Sequence, residues 1–165
     1  MNKIISKEQF SEKVFKLEIE APLIAKSRRA GHFVIVRVDE KGERMPLTIA
    51  GSNLEKGTIT LVVQTVGLSS TKLCNLNEGD YVLDIVGPLG QATHIQNYGT
   101  VVCAGGGVGV APMLPIIQAL KAAGNRVISV LAGRSKDLII LENEVRASSD
   151  EVIIMTDDGS YGTKG

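Results

Sequence analysis

Apolar and polar residues alternate in short runs over roughly the first ninety residues. In residues 15–20 Phe, Leu and Ile alternate with Lys and Glu, and residues 58–64 repeat the pattern with Thr and Gln as the polar partners. A period of two is typical of half-buried strands. Denser apolar runs predict three more strands, residues 69–76 predict a short helix, and Gly87-Pro-Leu-Gly90 predicts a turn. The three additional strands are 32–38, 44–50 and 81–86. Such punctuated short strands favour a small antiparallel barrel.

The pattern changes near Asn97, where strands begin to alternate with helices. The predicted order is strand 99–104, helix 112–123, strand 126–132, helix 137–146 and strand 152–155. Alternation of this kind predicts a parallel sheet with right-handed crossovers. We therefore expect two domains, residues 1–96 and 97–165. Residues 157–165 form a loop after only three parallel strands, which suggests a fragment of a longer protein.

Composition excludes several classes of function. Eighteen acidic residues balance eighteen basic ones, which argues against a nucleic-acid or anionic membrane partner. Cys74 and Cys103 lie in apolar segments and are expected to be buried thiols of a cytosolic protein. Two cysteines and the isolated His32 and His94 cannot build a four-ligand metal site, and we assign neither histidine any chemistry.

A glycine-rich turn lies between the first parallel strand and its helix, in the stretch CAGGGVGVAP. Gly105, Gly106, Gly107 and Gly109 precede Pro112, which suits the first turn of a helix. Such a turn brings backbone N–H groups close to a phosphate at a helix N-terminus. The loop lacks the third glycine of the common dinucleotide fingerprint, and glycines there also serve packing, so both interpretations stay open at this point.

Several motifs in order resemble the ferredoxin–NADP reductase superfamily of flavoproteins. They are AGHFVIVR, RMPLTIAG, GPLG, GGGVGVAP, GRSKDLIILENEV and TDDGSYGTKG. The finer resemblance is to bacterial electron-transfer subunits of dihydroorotate dehydrogenase, of sulfide dehydrogenase and of NADH-dependent ferredoxin:NADP oxidoreductase. It implies an N-terminal antiparallel FAD-binding β-barrel followed by a partial Rossmann-like parallel α/β domain that binds NAD(P).

The resemblance assigns the first FAD segment to RMPLT. It implies that Arg44 binds the FAD diphosphate, that Pro46 and Leu47 adjoin the flavin, and that Thr48 is the catalytic-site hydroxyl beside flavin N5. Arginine offers a permanently charged bidentate clamp, and a threonine hydroxyl both donates and accepts hydrogen bonds. Without the family, Arg44 would be an exposed strand arginine beside an edge-strand proline.

The resemblance assigns a second FAD segment to QTVGLSST. The implied cofactor-binding residues are Gln64, Thr65, Val66, Gly67, Ser70 and Thr71. The resemblance implies that the strand end covers the flavin or its ribityl chain and that Gly67, Ser70 and Thr71 hold phosphate. The alternative is a loop that ends in a serine N-cap. GPLG resembles the turn that joins the two domains near the nicotinamide, and a simple turn is the alternative.

The segment Gly105–Pro112 resembles the nucleotide loop of the superfamily, which has the form Gly-x-Gly-x-x-Pro, and this implies NAD(P)H binding. Arg134 is then expected near the adenosine ribose, and Asp157 and Asp158 near the nucleotide. An acid–base or metal role for the two aspartates is the alternative, but hydride transfer needs neither.

The resemblance implies that electrons pass between NAD(P)H, FAD and a [2Fe–2S] centre to a catalytic flavoprotein partner in a hetero-oligomer, with ferredoxin a further partner. This chain lacks the cysteine cluster, so the centre is expected only in the full-length parent. A free-standing NAD(P)H:flavin or oxygenase reductase and a non-catalytic nucleotide-binding regulatory domain are the two other hypotheses.

Overall fold

A computed structural model describes all residues 1–165 and divides the chain into two compact units, Met1–Ala92 and Thr93–Gly165. The division and the predicted boundary at residues 96 and 97 both lie in the irregular segment 91–98. The first unit holds an antiparallel sheet and the second a parallel sheet with helices, so the predicted fold class is confirmed. No helix combines the length and the apolar character needed to cross a membrane.

The first unit contains seven strands and two short helices. The strands pair antiparallel in the order β6-β1-β2-β5-β4-β3-β7. Their bounds are β1 (Asn2–Ser11), β2 (Val14–Glu20), β3 (Phe33–Arg37), β4 (Met45–Asn53), β5 (Thr58–Gln64), β6 (Tyr81–Val82) and β7 (Asp84–Leu89), with helices α1 (Pro22–Ser27) and α2 (Leu68–Cys74).

A single apolar core holds this sheet together. Ile4 of β1, Val34 of β3 and Val82 of β6 are fully buried in the same cluster, so the sheet curls until its distant strands share one interior. Leu17 and Ile19 are also fully buried, as the period-two pattern predicted. Burial of such side chains contributes about 1.5–3 kcal/mol each, which makes this core the main source of the unit's stability.

Two predictions for residues 81–90 are wrong. The expected strand 81–86 is two strands that pair with different neighbours, β6 with β1 and β7 with β3. Gly87-Pro-Leu-Gly90 is not a simple turn, because β7 continues through Gly87 to Leu89. A Cβ on Gly87 would lie 2.7 Å from Cγ1 of Val34, so glycine permits the close packing of β7 against β3.

The second unit contains a four-stranded parallel sheet in the order β11-β10-β9-β8. Helix α3 contacts β8 and β9, α4 contacts β10, and the helices contact each other, so both lie on one face. On the other face Val102 is 66% exposed, and β8 is an edge strand. The bounds are β8 (Thr100–Gly106), β9 (Arg126–Gly133), β10 (Glu151–Thr156), β11 (Thr163–Lys164), α3 (Val110–Ala122) and α4 (Glu142–Ala147).

The helix predictions in this unit are corrected in two places. A 3₁₀ turn at Gly107–Gly109 leads into α3, which starts two residues before Pro112. Proline is tolerated there because N–H groups in the first turn lack intrahelical partners. The predicted helix 137–146 is interrupted, because Leu141 adopts a left-handed φ of 57° and α4 starts only at Glu142. Burial of Ile140 and Leu141 offsets the cost of that break.

Two further expectations change. The loop predicted for residues 157–165 returns as the short strand β11, which pairs with β10 and gives the sheet a fourth strand. Cys103 was expected in the core, but it is only partly buried. The reason is that β8 has a neighbour on one edge only.

Candidate functional site

The outer face of strands β3, β4 and β7 carries one candidate site. Residues directly opposite each other on antiparallel strands share a face. Thr48 pairs with Phe33, which pairs with Leu89, and Pro46 pairs with Ile35 in the next row. Thr48 is partly buried and Pro46 is exposed. This face therefore presents a hydroxyl beside apolar side chains, a surface suited to a flat heteroaromatic ring.

Arg44 lies in the loop immediately before β4, at the end of the same face. Its Nη1 is 3.5 Å from Oδ2 of Asp84, and the two side chains are 55% and 42% exposed. A guanidinium has five N–H donors, so this single long contact leaves most of them available. An exposed pair of this kind contributes about 0–1 kcal/mol to stability. Arg44 is thus free to serve an anion at little cost to the fold.

Leu47 lies on the opposite face from Thr48. It packs against the barrel core together with Met45. Leu47 therefore does not share the outer face of Pro46 and Thr48, and its contact with the flavin stays a prediction.

The second predicted FAD segment begins where β5 ends. Gln64, Val66 and Thr71 are exposed, and Thr65 is partly buried. A Cβ built on Gly67 would meet nothing within 4 Å, so open space lies in front of this backbone. The segment thus offers backbone and hydroxyl groups to a ligand.

Ser70 has a local role within this segment. Its Oγ accepts the N–H groups of Val66 and Gly67 at 3.0 Å each and donates to the carbonyl of Gly67 at 3.0 Å. Ser70 is also buried. Its hydroxyl therefore shapes the turn into α2, and the exposed Thr71 is the better placed hydroxyl for a ligand.

Contacts join the β3–β4 loop to helix α2. The hydroxyl of Ser69 donates to Oε2 of Glu43 at 2.8 Å, one residue before Arg44. The ammonium of Lys72 forms an ion pair with Asp39. The two segments that the sequence assigned to the FAD diphosphate are therefore neighbours in this unit.

The glycine-rich turn of the second unit divides into glycines that pack and glycines that face open space. A Cβ on Gly105 would lie 3.1 Å from Cε of Met113 and 3.3 Å from the carbonyl oxygen of Gly109. Gly105 thus permits close packing of α3 on β8. A Cβ on Gly107 or Gly109 would meet nothing within 4 Å, and Gly107 has a left-handed φ of 54°. The packing interpretation therefore holds for Gly105, and the phosphate interpretation stays a prediction for Gly107 and Gly109.

The N-terminus of α3 follows this open space. Gly109 is its N-cap, no side chain caps it, and its first turn contains no acidic residue. The first N–H groups of a helix lack internal partners and carry partial positive charge. A 13-residue helix that begins at an uncapped, glycine-lined turn is suited to bind a phosphate group.

The ends of β9 and β10 bring together residues that the sequence placed in separate motifs. The N–H of Asp157 donates to the carbonyl of Gly133 at 3.1 Å, and the N–H of Asp158 donates to that of Arg134 at 3.2 Å. Arg134, Asp157 and Asp158 are exposed there. They form one polar edge at the ends of β9 and β10. The glycine turn lies beside this edge in the same unit, at the end of the neighbouring strand β8.

The carboxylate of Asp158 is committed to its own turn. It accepts the N–H of Ser160 at 2.9 Å and the hydroxyl of Ser160 at 2.6 Å. These hydrogen bonds from Ser160 lower the pKa of Asp158, so the carboxylate stays ionised at neutral pH. The geometry gives no support to an acid–base pair, and no group of three His, Cys, Asp or Glu side chains is placed to hold a metal.

Sequence reasoning missed Ser160 and Tyr161, which organise this edge. Ser160 Oγ accepts the N–H of Lys136 at 2.9 Å, and the Lys136 ammonium lies 5.2 Å from the centroid of the Tyr161 ring. The hydroxyl of Tyr161 donates to Oε1 of Glu142 at 2.8 Å. The sequence Asp158-Gly-Ser160 is a signal for an Asx turn that could have identified Ser160; nothing in the sequence pairs Tyr161 with Lys136.

The two cysteines and the two histidines lie in surroundings that explain them without any catalytic role. Burial raises the pKa of Cys74 to about 11, and burial also raises that of Cys103, so neither thiol is activated. His32 Nδ1 accepts the N–H of Arg29 at 3.0 Å, and His94 contacts the Tyr98 hydroxyl at 3.0 Å.

Comparison with known proteins gives the family. Residues 2–94 match the model of the family described as oxidoreductase FAD-binding domain. The chain is 47% identical over 165 residues to a dihydroorotate dehydrogenase B (NAD(+)) electron transfer subunit homolog of Thermotoga maritima. This alignment covers 100% of the chain and 58% of the Thermotoga maritima protein. The chain is 32% identical over 168 residues to the dihydroorotate dehydrogenase B (NAD(+)) electron transfer subunit of Streptococcus pneumoniae strain R6, with coverage of 99% and 64%.

Comparison with solved structures agrees with the sequence comparisons. A structure of an NADH-dependent reduced ferredoxin-NADP oxidoreductase superposes with a TM-score of 0.96 and 44% identity, covering 100% of this chain and 59% of that one. Phthalate dioxygenase reductase superposes with a TM-score of 0.76 at 21% identity over 96% of this chain and 52% of that one, which shows the shared fold alone. The chain thus spans less than two thirds of the relatives named here.

Proposed function

Because the chain belongs to the oxidoreductase FAD-binding domain family, we propose that it is the flavin- and nucleotide-binding part of an electron-transfer subunit. In this proposal electrons pass between NAD(P)H and FAD and then to a partner oxidoreductase. The resemblance predicted from sequence motifs is confirmed by the family match and by the relatives. The pyridine nucleotide, the partner and the activity of the whole protein belong to the proposal.

One observation carries the proposal. Arg44 and Thr48 lie along one accessible face of the first unit, and the loop that holds Arg44 contacts the helix that holds Thr71. The charged clamp at one end of this face matches the diphosphate of FAD, and the apolar surface with its hydroxyl at the other end matches the flavin ring. An unrelated solvent-exposed strand would not need this arrangement.

The residues present fit FAD. Arg44 retains N–H donors beyond its contact with Asp84, and the backbone at Gly67 faces open space that a Cβ would fill. We assign the diphosphate to Arg44 and Thr71, with Gly67 permitting its close approach, and the flavin ring to Pro46 and Thr48. Bound FAD would supply the acceptance of a hydride and the release of single electrons. The residues of this chain bind and orient the cofactor, and Thr48 offers a hydrogen bond to its ring.

The second unit is the proposed NAD(P)H-binding unit. The open glycines Gly107 and Gly109 and the uncapped start of α3 support a diphosphate there. The edge with Arg134 and Asp157 supports the adenosine end, because a ribose offers hydroxyls to a cation and a carboxylate. No side-chain general base is required, since hydride transfer moves no separate proton at that step.

A [2Fe–2S] centre does not fit the residues of this chain. Such a cluster needs four ligands, usually thiolates, whereas the chain has two cysteines, of which Cys74 is buried. We therefore assign no step of this chain to a cluster and propose one only for a longer parent. The two curated relatives named above are called electron transfer subunits, which supports a hetero-oligomeric flavoprotein partner.

The test is anaerobic reduction of the full-length gene product after loading with FAD. We expect NADH or NADPH to bleach the flavin absorption band and the reduced protein to pass electrons to a co-purified partner flavoprotein. Rapid turnover with free flavin or oxygen and no partner would instead support a free-standing reductase. A protein that binds nucleotide but never reduces a flavin would overturn the proposal.

A further inference from the structure

The loop between β3 and β4 lies against helix α2 through two polar side-chain contacts. Lys72 pairs with Asp39, and Ser69 donates to Glu43 at 2.8 Å. We call these four residues the loop–helix contacts. Lys72 and Ser69 are three positions apart on α2, so they project from the same side of the helix, and both ends of the loop are held.

Asp39 acts on both sides of this contact. Its Oδ1 accepts the N–H of Lys41 at 3.1 Å within the loop, while its Oδ2 pairs with Lys72 on the helix. Hydrogen bonding with the Lys72 ammonium is the largest cause that lowers the pKa of Asp39. The carboxylate therefore remains ionised at neutral pH and joins the loop turn to α2.

Gly42 makes the loop compact. A Cβ at this position would lie 3.1 Å from the carbonyl oxygen of Asp39 and 3.2 Å from its backbone nitrogen. The N–H of Gly42 donates to that carbonyl at 2.9 Å. The turn from Asp39 to Gly42 is thus a tight unit, and motion of Asp39 would be transmitted to Glu43 and Arg44.

The two segments joined by these contacts are the ones to which we assigned the FAD diphosphate. Arg44 follows Glu43 directly, and Thr71 lies between Ser69 and Lys72. A diphosphate bound by two separate segments gains affinity when both are held in place before binding, because less conformational entropy is lost. Asp39 and Glu43 do not bind the diphosphate themselves, because their carboxylates would repel a phosphate. The loop–helix contacts therefore lie beside the proposed diphosphate site.

We propose that Asp39 and Lys72, with Glu43 and Ser69, are positioning residues that fix Arg44 relative to helix α2 for the FAD diphosphate. The inference rests on the proposed function. It predicts that loss of the ion pair weakens ligands that contain the diphosphate and leaves ligands without it unaffected.

The experiment measures the dissociation constants of FAD and riboflavin for the full-length protein and its variants. Lys72→Met is expected to raise the FAD constant by about two- to fivefold, the range that an exposed ion pair supplies, and to leave riboflavin unchanged. Lys72→Arg is expected to keep FAD affinity, and Asp39→Asn, which keeps the acceptor for the Lys41 N–H and loses the ion pair, is expected to weaken FAD binding as Lys72→Met does. Lys121→Met is the matched control, because Lys121 pairs with Asp150 in the other unit at 2.6 Å.

Three results would overturn the inference. They are an unchanged FAD constant in Lys72→Met, an equal loss for riboflavin, which would indicate general structural damage, and an unchanged FAD constant in Asp39→Asn, which would indicate direct contact between Lys72 and the cofactor. Hydrogen exchange of residues 39–45 is measured in parallel without flavin, and faster exchange in Lys72→Met is expected. A wild-type protein that binds no FAD defeats the proposed function itself, while the exchange data still report on the loop.

Discussion

The hydroxyl of Ser69 donates a hydrogen bond to the carboxylate of Glu43 at 2.8 Å, across 26 positions of sequence. This contact places the residue before Arg44 against the first turn of α2. Two segments that the sequence could assign to a diphosphate only separately are thereby joined in one unit. The joining is the structural reason to regard them as one site.

Replacing Thr48 tests the proposed hydrogen bond to the flavin ring. Thr48→Val keeps the shape and removes the hydroxyl, and we expect flavin reduction by NAD(P)H to slow about fivefold, equivalent to about 1 kcal/mol for one hydrogen bond. FAD affinity should change little, because Arg44 and Thr71 hold the diphosphate. Stopped-flow measurement of flavin bleaching checks the rate.

Thr48→Ser is the matched control, since it retains the hydroxyl and should retain the rate. An unchanged rate in Thr48→Val would show that the hydroxyl takes no part.

The two kinds of glycine in the nucleotide loop predict opposite outcomes. Gly109→Ala adds a methyl group to open space at an ordinary φ of −63°, so the melting temperature should hold while NAD(P)H affinity falls by about 1–3 kcal/mol. Gly105→Ala presses on Met113 and should cost about 1 kcal/mol of stability. Gly107→Val would also block the nucleotide, but its left-handed φ adds backbone strain.

Thermal unfolding and nucleotide titration of the two alanine variants separate these effects. Equal nucleotide affinity in Gly109→Ala and wild type would make the whole loop a packing element.

Glu18 predicts part of the acid sensitivity of the first unit. Its Oε1 accepts the hydroxyl of Thr58 at 2.5 Å, and this hydrogen bond, with those from Ser6 and the charges of Lys56 and Lys16, lowers the pKa of Glu18 in the folded chain. A depressed folded pKa contributes stability that is present above the unfolded value of about 4.3 and is lost as pH falls through the folded pKa. Glu18→Gln should therefore lose less stability on acidification than wild type.

Urea unfolding between neutral and acidic pH measures this effect, with Glu20→Gln on the same strand as the control. We expect Glu18→Gln to cost about 1 kcal/mol at neutral pH. Parallel pH profiles for Glu18→Gln and wild type would refute the role of this carboxylate.

The two thiols should differ in their rates of alkylation. Cys74 is buried with a pKa raised to about 11, whereas Cys103 is partly exposed on the edge strand. At mildly alkaline pH, Cys74 should react only after unfolding, and Cys103 should react faster in the native state, because the thiolate is the nucleophile and must be accessible. Mass spectrometry of Cys74→Ser and Cys103→Ser variants distinguishes the sites; similar native rates would contradict the packing around α2.

The sequence predicted the two-part architecture because its periodicities differ clearly, as in Leu17 and Ile19 against the helix that contains Ile117. It did not predict that Gly87 continues a strand, because the reason is a close approach to Val34, 53 positions away. The sequence predicted a helix through Leu141. A leucine that adopts a left-handed φ so that its side chain is buried has no recognisable pattern in the neighbouring sequence. The candidate phosphate residues were identified by motif, but the contacts of Asp39 with Lys72 and of Lys136 with Tyr161 depend on tertiary structure.

The most direct measurement is the titration of the purified full-length protein with FAD, followed by gel filtration and absorption spectroscopy. The account predicts that wild type retains one FAD per chain, that Arg44→Ala binds it about 1–3 kcal/mol more weakly, and that Arg126→Ala, whose pair with Glu151 has the same 3.5 Å separation, binds it normally. Colourless wild-type protein that takes up no FAD, or equal retention by the Arg44 variant, would contradict it.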